Sequence, residues 1–332
     1  MAEFGFASTT DEVLEGISLE GRLALVTGAS SGLGLETCRA LAARGATVVM
    51  LARSREKLDA AIAVLEAEEL PGQIDSALLD LADLDKVRNS AATLLDLYPQ
   101  VDLLINNAGV MACPLQRTAQ GFEMQFGTNH LGHFLFTCLM APALMAAAAA
   151  GSEPRVINLS SGGHRFGAFN FDDPNYRERE YEKWRAYGES KTANVLFSVG
   201  LDARLAPLGV RVFAVHPGMI MTELGRHMDE ADMEAIRARA ASRSAASGQE
   251  TGGEPRSLFK SIPQGAATSV YAATSPALAG IGGRYLEDCH LAEEAGKETA
   301  GGVESYATDP ALAEQLWQLS EALVGESFTF DQ

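Results

Sequence analysis

Six stretches of the chain are short, nearly unbroken runs of apolar and β-branched residues: RLALVTG at 22–28, ATVVMLA at 46–52, IDSALLDL at 74–81, VDLLINNAG at 101–109, RVINLSS at 155–161 and VRVFAVHPG at 210–218. Each is flanked by a segment of helical length. A strand with one wet face alternates apolar and polar side chains, whereas a strand covered on both faces has no reason to alternate. Runs of this kind separated by helices predict βαβ crossovers, and hence a parallel sheet with helices on both sides. The predicted fold class is α/β, a single doubly wound domain over residues 21–332, preceded by an N-terminal arm at 1–20.

Two stretches interrupt this rhythm, at about 162–186 and 219–263. The first, GGHRFGAFNFDDPNYREREYEKW, is polar yet dense in aromatics; the second contains ASRSAASGQETGGEPRS, whose Ser, Gly and Ala content predicts a loop. Both follow predicted strand ends. Ligands of open α/β sheets sit beyond the carboxyl ends of the strands, so both insertions are expected to cover a site. No internal repeat is evident. A third stretch, LGHFLFTCLMAPALMAAAAAG from Leu131 to Gly151, has no Asp, Glu, Lys or Arg and imitates a membrane span. Its His133, its Pro142 and its weight in Ala rather than Leu or Ile favour a helix buried against the sheet or a partner subunit. No membrane span is therefore expected, and a homo-oligomer stays open.

Composition narrows the partners. At 332 residues with 47% hydrophobic content the chain can bury a large core. Its formal net charge of -18 argues against nucleic acid and against anionic membrane surfaces, both of which bind clustered Lys and Arg. Cys38, Cys113, Cys138 and Cys289 are scattered without CxxC spacing, which predicts reduced thiols rather than a disulfide framework or a zinc knuckle. The opening segment, MAEFGFASTTDEVLEG, lacks the basic and apolar regions of a secretory signal, so a cytoplasmic protein is the expectation.

Chemistry enters at LVTGASSGLGLE, where a strand ends and a helix opens. Gly28, Gly32 and Gly34 permit a tight turn, close approach of a pyrophosphate to the backbone and close helix packing, while the helix N-terminus adds amide donors and positive potential. In this strand, turn and helix context the glycines predict a dinucleotide site, with Ser30, Ser31 and Leu33 in its loop. The end of the second strand, MLARSREK, carries Arg53 and Arg55, with no carboxylate between Thr37 and Arg55. A carboxylate there would repel a ribose 2′-phosphate and a guanidinium can bind it through two contacts, so NADP is the expected cofactor, with Arg53 ahead of Arg55. In RAYGESKTANVLF, Tyr187 and Lys191 stand four apart and share a helical face, as any such pair does.

Together these residues resemble the short-chain dehydrogenases/reductases over nearly the whole chain. Beside TGASSGLG stand DLAD with Asp80 and Leu81, NNAG with Asn107, Ala108 and Gly109, FGTNHLGHF with Asn129, INLSS with Ser161, YGESK with Tyr187 and Lys191, and HPGMIMT with Pro217, Gly218 and Thr222. The resemblance implies a Rossmann fold. It assigns Asp80 and Leu81 to the adenine end, the NNAG residues to the cofactor cleft, and Pro217, Gly218 and Thr222 to the nicotinamide carboxamide. It implies that Tyr187 is the acid in reduction and the base in oxidation, its phenolate favoured by the charge of Lys191 and of an oxidised nicotinamide. Lys191 would also bind the nicotinamide ribose, Ser161 would bond the carbonyl oxygen, and Asn129 would hold a water of the proton relay. With no HExxH in the sequence, no metal is expected.

The spacing from Ser161 to Tyr187 is wider than is usual in the family, because the aromatic insertion lies between them. With NNAGVMACP, NHLGHF and GGRYLEDC, that insertion looks like the retinol dehydrogenase and WW-domain oxidoreductase branch. Ser160 competes with Ser161, which better matches the second serine of the family's pair. Phe166, Phe169, Phe171, Tyr176, Tyr181 and Trp184 in the first insertion, and Met219, Ile220 and Met221 in the second, predict a bulky apolar ketone, aldehyde or alcohol as substrate, unless the aromatics only pin the insertion to the sheet. Competing readings are a carbon–carbon double-bond reductase, a dinucleotide sensor without catalysis, a metal hydrolase using His130 and His133, and a serine hydrolase. HExxH and GxSxG are both missing, which disfavours the hydrolases; Tyr187, Lys191 and Ser161 are all retained, which disfavours the sensor; and the double-bond reductases, which share the Tyr and Lys, have cysteine-bearing substrate loops with no equivalent cluster in this sequence.

Overall fold

The computed structural model describes residues 4–232, 234, 259–296 and 301–331. Among them β1 (Leu23–Thr27), β2 (Thr47–Ala52), β3 (Gln73–Leu78), β4 (Leu103–Asn106), β5 (Arg155–Leu159), β6 (Arg211–His216), β7 (Arg284–Glu287) and β8 (His290–Leu291) form one sheet. Its order is β3-β2-β1-β4-β5-β6-β7-β8, parallel except for the last pair. The first six strands are the six apolar runs. β3 departs from the doubly buried pattern: QIDSAL lies at the sheet edge and alternates exposed with half-buried positions, as a strand with a wet face does.

β7 and β8 form a hairpin that no apolar run marks. Its turn holds Asp288 at φ 47° and Cys289 at φ 60°, the left-handed pair of a type I′ turn, between the facing residues Glu287 and His290.

The main helices in chain order are α1 (Gly32–Ala42), α2 (Arg55–Glu66), α3 (Leu84–Leu97), α4 (His133–Ala149), α5 (Lys183–Leu205), α6 (Ile262–Thr274) and α7 (Pro310–Val324). α1, α2 and α6 cover one face of the sheet; α3, α4, α5 and α7 cover the other. Along β1 the two-residue period divides the strand between these layers, Leu25 packing into one and Ala24 and Val26 into the other. The N-terminal arm belongs to the packing as well, for Val13 and Leu14 are buried in the layer that holds α6. The apolar stretch Met124–Ala149 is long enough to cross a membrane by length and composition, yet 72% of its apolar window is buried inside the protein. α4 is apolar all round because the sheet and its neighbouring helices enclose it. The four cysteines are buried free thiols. Residues 235–258 of the second insertion lie outside the described residues.

Candidate active site

Every predicted site residue lies at or near the carboxyl ends of the parallel strands or on the helices that follow them. β1 delivers Thr27, the chain turns at Gly28 with φ 65°, and α1 opens after Ser31. A Cβ on Gly28 would stand 2.8 Å from Ala108 Cα, and one on Gly34 would stand 2.3 Å from Gly28 O and 2.6 Å from Asn107 Nδ2. Asn107 Nδ2 donates to Thr27 O at 2.8 Å and to Gly28 O at 3.3 Å, and the Ala108 N–H donates to Thr27 Oγ1 at 3.0 Å. NNAG therefore clamps the glycine turn from the side. The side chains of Ser54, Asp83, Glu182, Ser261 and Asp309 cap α2, α3, α5, α6 and α7, whereas Ser31 makes no side-chain bond to the first turn of α1. The first amides of α1 are thus left for an anion.

Thr222 faces this turn, its Cγ2 lying 3.4 Å from where a Cβ on Gly32 would be. Arg53 is exposed at the end of β2 and makes no hydrogen bond or ion pair with another described residue. Arg55 is engaged, donating to Ser76 Oγ at 3.0 Å with Asp59 at 3.8 Å. Asp80 accepts from the Ala82 N–H at 3.2 Å and pairs with Lys86 at 3.1 Å. The next carbonyl, Leu81 O, would meet a Cβ on Gly132 at 2.4 Å, so the loop after β3 touches the helical segment that carries Asn129.

That segment, Gly127–Gly132, is a π-helical turn, a form frequent at functional sites. Asn129 Oδ1 accepts from the Val110 N–H at 2.8 Å, and Nδ2 donates to Val110 O at 2.9 Å and to Ser190 Oγ at 3.0 Å. Ser190 Oγ in turn donates to Tyr187 O at 2.7 Å. Lys191 Nζ donates to Leu159 O at 2.9 Å and stands 5.7 Å from the centre of the Tyr187 ring. A Cβ on Gly109 would lie 3.2 Å from Asn129 Oδ1 and 3.7 Å from Lys191 Nζ. The cofactor cleft, Asn129 and Lys191 therefore meet at one point.

The geometry also separates the two serines. Ser160 Oγ is buried and donates to Lys191 O at 2.9 Å. Ser161 Oγ accepts from the Gly163 N–H at 3.0 Å and is hydrogen-bonded to Tyr187. Gly163, which sequence reasoning missed, seats the phenol ring: a Cβ there would lie 2.9 Å from Tyr187 Cε1. The available signal was a second glycine directly after the serine pair.

Burial pushes the Tyr187 phenol up to about 12, opposed by its bond to Ser161, and burial brings Lys191 down to about 7. In the protein by itself, without an oxidised nicotinamide, burial is the larger influence on the phenol. The ammonium is committed to a carbonyl, and withdrawing the phenolate from water outweighs any attraction between them. Tyr187 is a neutral phenol at physiological pH.

A stability prediction follows from Lys191. Lys191→Met keeps the bulk of the stem, and Leu159 O retains a second donor, Asn194 Nδ2 at 3.0 Å. Lys191 titrates at about 7 in the fold and near 10.4 in an unfolded chain. The unfolded chain therefore binds more protons between those values, so stability rises with pH across them and the burial penalty is whole only below the folded value. The variant is expected to melt a few degrees above wild type near neutrality, with the gap closing at about pH 10. Calorimetry at both pH values checks this, and identical melting at neutrality would show that Lys191 costs the fold nothing.

The histidines of the metal-hydrolase reading are packing residues. His133 Nδ1 donates to Asn129 O at 3.0 Å and Nε2 accepts from Thr27 Oγ1 at 2.9 Å, which joins the π-helical turn to the glycine cradle. His130 Nε2 meets Ser320 Oγ at 2.8 Å. Burial lowers His130 to about 3 and His133 to about 4, so both are neutral. Among the described residues no three His, Cys, Asp or Glu side chains are grouped to hold a metal ion.

Most of the first insertion's aromatics are spent on anchoring it. Glu189, buried two residues after Tyr187, takes a bidentate pair from Arg179 at 2.7 and 2.5 Å and a hydrogen bond from Tyr176 at 3.0 Å. Tyr181 OH donates to Cys113 O at 2.9 Å and accepts from Gln125 Nε2 at 3.0 Å. Phe169 packs between Phe126 and Phe171. Phe166, 39% exposed, and Trp184, edge-on to Tyr187 at 6.3 Å, remain beside the site. In the second insertion Ile220 packs toward Gly265, whereas Met221 is exposed. A cleft of about 500 Å³ opens nearby, lined by Ala112, Pro114, Tyr181, Glu182, Lys183, His227 and Asp229.

Comparison with known proteins agrees with this geometry. A family profile described as short chain dehydrogenase matches residues 22–233. A probable oxidoreductase of Streptomyces lividans is 40% identical over 91% of this chain and 97% of its own length. Human retinol dehydrogenase 13 is 40% identical over 93% of this chain and 86% of its own. Among solved structures, an uncharacterized protein from Mycobacterium paratuberculosis superposes with a TM-score of 0.71 at 34% identity, over 98% of this chain and all of that one. The RhlG/NADP active-site complex of Pseudomonas aeruginosa gives a TM-score of 0.62 at 27% identity, over 81% of this chain and 95% of that one.

Proposed function

The chain belongs to the short chain dehydrogenase family of oxidoreductases, and from that premise we propose that it interconverts a bulky, largely apolar ketone or aldehyde and its alcohol with NADP(H). The observation that carries this reading is the meeting of Tyr187, Ser161, Lys191 and Asn129 beside Gly109, at the mouth of a glycine cradle whose helix N-terminus is left without a side-chain cap. When bound, the nicotinamide supplies or accepts the hydride.

The residues present fit that cofactor. Gly28 and Gly34 stand where any side chain would collide, and the first amides of α1 suit the pyrophosphate. Arg53, uncommitted to any described residue, suits a 2′-phosphate. Asp80 and Leu81 would flank the adenine, and Pro217, Gly218 and Thr222 would meet the carboxamide. The NADP complex of the Pseudomonas structure supports the choice of dinucleotide. The likeness to a retinol dehydrogenase supports a large apolar substrate, for which Phe166, Trp184 and Met221 offer the contact surface.

In reduction Tyr187 gives its phenolic proton to the carbonyl oxygen, and Ser161 hydrogen-bonds that oxygen as negative charge gathers on it. Both Asn129 Nδ2 protons are in use, but Oδ1 accepts from Val110 alone among the described residues, so one lone pair can accept from a water that Lys191 also contacts. Through that water the proton lost by Tyr187 is replaced. In oxidation the same groups work in reverse.

The test is the rate of NADPH and NADH consumption on acetone, acetophenone and a diaryl or long-chain ketone, for wild type and Arg53→Ala. NADPH is expected to be preferred, kcat/KM to rise with apolar size, and Arg53→Ala to weaken NADPH by about tenfold or more while barely affecting NADH. A preference for acetone would remove the bulky-substrate reading. Equal losses toward both cofactors would remove the role of Arg53.

A further inference from the structure

We propose that Lys260 is a positioning residue of the cofactor site, a buried strut that holds the Pro217–Gly218–Met219 turn in the shape that meets the nicotinamide half of the dinucleotide; the inference rests on the assignment of that turn made above. The turn follows β6 directly and has Gly218 at φ 96°, so no helix or strand of its own fixes it. One support comes from β6: His216 Nδ1 accepts the Gly162 N–H at 3.0 Å and the Gly218 N–H at 3.3 Å, so one imidazole serves both this turn and the loop that begins at Ser161.

The other support is Lys260, which grips the turn by backbone and side chain. Its N–H donates to Met219 O at 2.8 Å. Its stem lies so close over Gly218 that a Cβ there would be 2.8 Å from Lys260 Cδ and 3.0 Å from Cε. The far end of the stem is fixed as well, with Nζ 2.5 Å from Asp288 Oδ1 and 4.9 Å from the centre of the Phe6 ring. Asp288 is aimed by the left-handed turn between β7 and β8. The Lys260 side chain is 1% exposed. Lysines are almost never buried to this degree unless paired, and a pair does not stabilise merely by being buried. Here it spans the space between the β7–β8 hairpin, the N-terminal arm and Gly218, whose N–H shares the His216 imidazole with the Gly162 N–H.

The sheet order makes a selective effect measurable. Lys260 acts beside β6 and β7, whereas Arg53 and Asp80 follow β2 and β3 at the opposite edge. Loosening the strut should disturb the nicotinamide end of the site and spare the adenosine end. NADPH and adenosine 2′,5′-bisphosphate would be titrated calorimetrically into wild type, Lys260→Ala and Lys260→Met. Lys260→Ala is expected to weaken NADPH about tenfold or more while leaving the bisphosphate within about twofold. Lys260→Met keeps the stem but frees its end from Asp288, and is expected to weaken NADPH severalfold with the same selectivity, which keeps the test open should the Ala variant not fold. If wild type binds both ligands and the variants either keep full NADPH affinity or lose affinity equally for both, the strut is merely structural and this inference is overturned alone. A wild type that binds neither ligand overturns the cofactor reading and this inference together.

Discussion

Tyr187→Phe is expected to leave NADPH affinity within about twofold of wild type and to lower kcat by about 10² to 10⁴-fold, the usual contribution of a positioned general acid. The substitution removes one oxygen and nothing else. The ring stays seated on Gly163 and edge-on to Trp184, and Ser161 Oγ keeps its bond from the Gly163 N–H. Because burial holds the phenol up at about 12, wild-type reduction should show no alkaline loss attributable to Tyr187 below about pH 10. Steady-state turnover beside a direct NADPH titration separates the two effects. A Phe variant that retained more than about a tenth of the wild-type rate would leave the proton donor to be sought elsewhere.

Gly34→Ala is expected to cripple the same enzyme from the opposite side, through the cofactor. In an exposed helix this change stabilises by about 0.5–1 kcal/mol, since alanine loses less conformational freedom on folding. Here the added methyl would fall 2.3 Å from Gly28 O and 2.6 Å from Asn107 Nδ2. Both neighbours are held, Gly28 by its turn and Asn107 by its bonds to Thr27 O and Gly28 O, so neither can yield without opening the cradle. Overpacking of this kind costs about 1–3 kcal/mol, which reverses the sign of the propensity gain. The melting temperature should fall, and NADPH affinity should fall by about a hundredfold, because α1 must move away from the turn whose amides it shares. Thermal melts and dinucleotide titration decide it. An alanine variant with unchanged affinity would mean that the cradle is soft and that the glycine is there for another reason.

The chain by itself determined what depends on neighbours in sequence. Six apolar runs of strand length became the first six strands, because covering a strand on both faces is written into consecutive residues. The glycine turn was legible because its strand, turn and helix are contiguous, and Tyr187 and Lys191 were paired by a single helical turn. What the chain left open was settled by partners distant along it. Ser161 was preferred to Ser160 on family pattern, and only the fold shows what each one meets: Ser160 Oγ donates to Lys191 O while Ser161 lies against Tyr187. Phe169, Tyr176 and Tyr181 read equally as substrate contacts or as anchors of the insertion, and their bonds and packing with Phe126, Glu189, Gln125 and Cys113 show them anchoring it. β3 reads as a buried run yet lies at an edge, since a strand's place in the sheet is set by crossovers rather than by its own residues. The setting of the Tyr187 phenol was out of reach for the same reason: the sequence displays the ammonium one turn away but not the exclusion of water around the phenol, and desolvation is a property of everything packed about a group rather than of the group itself.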